Sequence, residues 1–110
     1  MIYHPDAWVI LKITPRNDEA VFKILGGWYG GFASGDSWKL NSGIKSFVIE
    51  ADHVDFIGFS DSIYRCRLKA EGFTRYTAQI YESFLDEIGP TGTIEYLSFE
   101  DVKSQLPCDK

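Results

Sequence analysis

The spacing of apolar residues changes period once along this chain, near residue 70. Before that point short runs alternate or are wholly apolar; after it they recur at three- and four-residue steps. A period of two builds strands and a period of 3.6 builds helices. The chain therefore divides into a mainly β part, residues 1–69, and a part made of helix, strand and short helix, residues 70–110. "AWVILKI" (7–13) is almost all apolar, which predicts a strand buried on both faces. The turn residues of "TPRND" (14–18) join it to "EAVFKIL" (19–25), where Ala20, Phe22 and Ile24 share a face, so the two runs read as a hairpin. Further strands are predicted at 44–51, 54–59 and 62–68, with turns at "ADHV" and at Ser60-Asp61. In the last of these, Tyr64, Cys66 and Leu68 alternate with Ile63, Arg65 and Arg67.

From Thr74 onward the pattern is that of a surface helix. Tyr76, Ile80, Tyr81, Phe84, Leu85 and Ile88 form one stripe, with Thr74 as N-cap. Gly89 followed by Pro90 stops it, because Gly accepts a left-handed conformation and Pro cannot continue a helix. "TIEYL" (93–97) reads as a strand, and Ser98 with Asp101 as the start of a short helix ending before Pro107. The expected fold is α+β: a curved antiparallel sheet or small β-barrel of about five to six strands, covered by one principal helix, with a short C-terminal helix. Residues 1–110 are expected to form a single domain.

Charge narrows the function. The chain carries 16 acidic and 11 basic residues, a net charge of −5. Through residue 76 the two signs balance. The whole excess lies beyond, in Glu82, Asp86, Glu87, Glu95, Glu100, Asp101 and Asp109 against Lys103 and Lys110. Phosphate backbones are held by clustered Lys and Arg, so a general nucleic-acid binder is disfavoured. No apolar run reaches the ~18 residues that cross a bilayer, and "MIYHPDAWVILKI" lacks a secretory signal. The expected setting is the cytoplasm, with Cys66 on an inward strand face and Cys108 both reduced.

The stretch "GGWYGGFASGDSWKLNSG" (26–43) holds six of the ten glycines and two of the three tryptophans. A phosphate cradle needs glycines leading into a helix, whereas here they lead into strand-like sequence without Gly-Lys-Ser/Thr. Two readings are left. In one, Trp28, Tyr29, Phe32 and Trp38 are outward-facing rings that bind a partner. In the other, Gly26-Gly27 and Gly30-Gly31 are bulges or bends and the tryptophans fill the interior.

The segments "WYGGFASGDSWKLNSGI" and "FIGFSDSIYRCRLKAEGFTRYTAQIYESF" resemble a set of small uncharacterised proteins encoded by tailed bacteriophages. The resemblance spans roughly residues 6 to 84 and rests most on Asp36 to Ile44 and on Tyr64-Arg65-Cys66. Those relatives carry His after the Cys, where this chain has Arg67. The resemblance implies an accessory protein made during infection, and no established activity.

Catalytic constellations are thin. His53 lies among Asp52, Asp55 and Glu50, yet a lone His in an acidic turn is a weak signal. No nucleophile elbow or metal-ligand spacing is present, so no catalytic residue, metal or cofactor is expected. One basic strip stands out: Arg65, Arg67, Lys69 and Arg75 against Glu71 alone. It suits a phosphate or an acidic partner, or it offsets Glu82, Asp86 and Glu87 on the covering helix, or it guards an edge strand against pairing with other chains. The leading expectation is a non-enzymatic interaction module that binds a host or viral protein through the aromatic loop. The alternatives are a small-ligand or nucleotide-binding domain using the basic strip, and a weakly acidic nucleic-acid mimic. A homodimer is left open.

Overall fold

Trp8, Val9, Ile10 and Leu11 are all fully buried, and their strand lies at the centre of the molecule. The computed structural model describes residues 1–30 and 35–107. In it the apolar run extends into β2 (Ala7–Pro15), flanked on one side by β3 (Val21–Trp28) and on the other by β8 (Gly92–Leu97). Beyond β3 comes β4 (Ser37–Leu40), giving an antiparallel sheet of order β4-β3-β2-β8. The second sheet has the order β1-β7-β6-β5. It comprises β1 (Ile2–Tyr3), β5 (Ile44–Ile49), β6 (His53–Gly58) and β7 (Ile63–Arg67), with β1 parallel to β7.

Because side chains alternate across a strand, β2 serves two cores. Trp8 and Ile10, with Ile24 of β3, face the second sheet and meet Phe47, Val54, Phe56, Tyr64 and Cys66. Val9 and Leu11, with Leu25, face the other way. Burying each large aliphatic or aromatic side chain contributes on the order of 2 kcal/mol, so both faces need a cover. The cover of the outer face is α1 (Arg75–Ile88), whose Ile80, Tyr81 and Phe84 pack on it. The layers are thus sheet, sheet and helix.

The helix starts where expected. Thr74 Oγ1 accepts the Thr77 N–H at 3.0 Å and Thr77 Oγ1 accepts the Thr74 N–H at 2.8 Å, a reciprocal capping box. It ends at Gly89, whose φ of +46° suits glycine, ahead of Pro90. The short α2 (Phe99–Val102) is capped by Ser98 Oγ, and a 3₁₀ turn, Lys103–Gln105, follows it. Phe99, Val102 and Leu106 close the inter-sheet core. The Phe99 ring meets Phe47 and Phe56 edge-on at 5.4 and 5.5 Å.

The α+β class, the principal helix and the short C-terminal helix are as expected. The barrel is not: two four-stranded sheets stack without closing into one. A doubly apolar β2 demands a layer on each side, which a single covered sheet cannot supply. The expected five to six strands become eight described ones. Gly26 and Gly27 form neither bulge nor bend, since β3 runs through them in unbroken register with β2 and β4. Among the described residues no helix is long and apolar enough to cross a membrane.

Candidate functional site

The paired glycines of β3 answer to close approach on both faces. A Cβ on Gly26 would lie 3.1 Å from Pro5 Cβ, and one on Gly27 only 2.7 Å from Thr77 Cγ2 in the first turn of α1. Glycine here lets the helix and the β1–β2 connection close on the same strand.

That arrangement sends the aromatic residues in different directions. Trp28 pairs with Ser37 on the inter-sheet side. It is half-buried, lies edge-on to Tyr3 at 6.5 Å, and its Nε1–H donates to the His4 carbonyl at 3.0 Å. Trp38 pairs with Gly27 on the opposite face and sets its ring against Phe84 of α1 at 5.6 Å, leaving 37% of the residue exposed. Tyr29 is 63% exposed, while its N–H is tied to Asp6 Oδ2 at 2.8 Å. Phe32 lies outside the described residues. The two indoles therefore straddle the sheet and do not form one stacked platform. Both residues nevertheless border a groove of about 530 Å³ along β4. Ile2, Tyr3 and His4 form one wall; Ser37 and Lys39 form the other. The Lys39 Nζ rests 5.1 Å from the Tyr3 ring centroid. Tyr3, His4 and Lys39 carry no mark in the sequence, because a two-residue strand paired 61 positions away brings the first two here.

The basic strip separates into parts with different partners. Arg65 stands in register with Asp55 of β6 and grips it with two hydrogen bonds, Nε to Oδ1 and Nη2 to Oδ2, each 2.9 Å. Those bonds, then the Asp55 charge, hold the guanidinium above its ordinary range. Arg67 Nη2 donates to the Asp6 carbonyl at 3.3 Å. Lys69 sits in the 3₁₀ turn Leu68–Ala70, and Arg75 opens α1 on the other sheet. The expected pairing of the strip with Glu82, Asp86 and Glu87 is not what Arg65 does. The helix covers the other sheet, so the partner is the neighbouring strand.

Arg65, Arg67, His4 and His53 do come together around one polar cleft, with Asp6 and Asp52. His53 Nδ1 is 2.8 Å from Asp52 Oδ1, and its Nε2 faces Asp55 Oδ1 at 3.7 Å. The hydrogen bond from His53 draws the Asp52 carboxyl below its usual range. Asp52 thus engages Nδ1, while Asp55 stands beyond hydrogen-bond distance of Nε2 and is held instead by Arg65. Among the described residues no cluster of three or more His, Cys, Asp or Glu has the makings of a metal site. Cys66 is fully buried, and desolvation pushes its thiol well above the normal value, which suppresses the reactive thiolate.

Compared with protein-family models, curated proteins and solved structures, the chain matches none.

Proposed function

We propose that this protein is a non-enzymatic interaction module that binds another protein through the aromatic groove along β4. The observation that carries the reading is the set of half-exposed rings, Trp28, Tyr29 and Trp38, gathered about an edge strand that is bonded to β3 on one side alone among the described residues. Partly exposed aromatic rings on a rigid sheet are where binding energy concentrates. The resemblance of residues 6–84 to phage-encoded proteins supports an accessory role in the host cytoplasm, with a host or viral protein as partner. The test is capture from infected cells by the parent protein and by a Tyr29→Ala/Trp38→Ala variant, with urea unfolding as the folding control. Loss of one specific partner at unchanged stability supports the reading; equal capture by both proteins sinks it.

The alternative, a phosphorylated small ligand at Arg65, Arg67 and Lys69, has less support. These three cations are matched by Asp6, Asp52 and Asp55 around the same clefts, and Arg65 is already engaged by two bonds. The acidic-mimic alternative would need one acidic face, whereas its carboxylates are spread over α1, β8 and α2, and Glu100 pairs with Lys103 at 2.9 Å.

A further inference from the structure

Resting on that reading, we infer that the groove takes an extended peptide segment in which acidic and apolar residues alternate, added as a strand to the edge of β4 that pairs with no other strand among the described residues.

The backbone argument begins at Asn41. Its N–H donates to the Ile24 carbonyl at 3.0 Å, and its side-chain Oδ1 accepts the Ile24 N–H at 2.8 Å. This residue continues the β3–β4 ladder and sets its phase. In an antiparallel pair, every second residue bonds inward and the residues between them turn their N–H and C=O outward. Counting back from Asn41, Lys39 and Ser37 bond to β3, while Leu40 and Trp38 present their backbone groups to the outside. An added strand of about four to six residues would pair with both.

The side chains then specify the two faces of that strand. On the inter-sheet side of β4 the incoming residue meets Lys39, with His4 and the Trp28 and Tyr3 rings beside it. Among the described residues no carboxylate lines this groove, although the protein carries a net charge of −5. The clefts beside Arg16, Arg67, His53 and Ile88 each contain at least one carboxylate. A cationic rim over an apolar floor selects an acidic residue whose aliphatic stem lies on the rings. On the opposite side the incoming residue meets Trp38 and, beyond it, Leu40 and Phe84, with Glu87 close by. That face takes an apolar residue and repels an acidic one. The period of two along a strand converts this contrast into alternation.

The test is titration of the ¹⁵N-labelled full chain with a capped Glu-Leu hexapeptide, a Lys-Leu counterpart, and a Glu-Leu peptide N-methylated at alternate residues. The inference requires shifts centred on residues 37–40 and the Trp38 indole with the first peptide alone, weakening as salt is added. Lys39→Glu, an exposed substitution, should weaken binding by ~10-fold or more, as reversal of an interfacial charge does. Equal binding of the Lys-Leu peptide, full binding of the N-methylated one, or no shift at residues 37–40 would overturn it. So would concentration-dependent broadening there without peptide, which marks a second copy as the occupant. Should infected-cell capture depend on Tyr29 and Trp38 while every peptide fails, the interaction module stands and the acidic strand falls.

Discussion

Thr77 of α1 touches the backbone of Gly27 so closely that no side chain fits between them: a Cβ there would be 2.7 Å from Thr77 Cγ2 and 3.1 Å from Thr74 Cγ2. The same two threonines cap the helix. One glycine thus seats the helix on the sheet at the point where β4 begins to pair.

Gly27→Ala is expected to destabilise the protein by about 1–3 kcal/mol, the usual cost of forcing atoms into a packed site. Adding Thr77→Ser, which removes Cγ2 and keeps the capping oxygen, should restore most of the loss in urea unfolding. A double variant no better than Gly27→Ala would show that the backbone, and not this contact, demands glycine.

Arg65→Ala strands Asp55, whose side chain is only 16% exposed. The expected cost is about 1–3 kcal/mol, the range for a charged hydrogen-bonding group left without its partner. Replacing both residues with Val should recover much of it, because the pair's net worth is smaller than the penalty for breaking it. A purely ligand-binding Arg65 predicts unchanged melting instead.

Glu71 accepts the Phe99 N–H at 2.8 Å, yet burial, aided by Asp101 and Glu100, raises its carboxyl above the ordinary value of 4.5. The folded state therefore holds this proton more tightly than the unfolded chain. Stability from this group falls as pH climbs through 4.5 and its raised folded value, and the whole penalty is present above that. Glu71→Gln keeps an acceptor for Phe99 and removes the charge. It should be the more stable protein at pH 7, by under about 1 kcal/mol, with the gap closing below pH 4.5. An unchanging gap across that range would refute the burial argument.

Cys66 should resist an aromatic disulfide reagent in the native protein at pH 8 and react fully in denaturant. The measurement uses a Cys108→Ser background, since Cys108 lies outside the described residues. Rapid native labelling would mean that the inter-sheet core opens readily.

Much of the fold is legible because periodicity is local. The runs at 7–13, 54–59 and 62–68 and the helical stripe after Thr74 appear within two residues of their predicted limits. Ile2–Tyr3 and Ser37–Leu40 are too short to declare a period, and the second sheet's separateness depends on β2 needing two covers. The site is harder to read. Trp28 and Trp38 take opposite faces because register places Gly27, not Trp28, across from Trp38, and a shift of one residue would reverse that. Arg65 is the instructive case. Centring the 54–68 hairpin on Ser60 sets Asp55 opposite it, so its partner was within reach of the sequence.

The pairing of Ile10 with Leu97 and Leu11 with Tyr96 carries a kinetic consequence. During synthesis the greasiest strand acquires its second neighbour only after the stretch between Pro15 and Gly92 has also been made. Until then β2 has a bare edge, the situation in which nascent chains recruit chaperones or stick to one another. Non-local ladders of this span also slow the search for the native state, into the millisecond-to-second range typical of sheet-dominated domains.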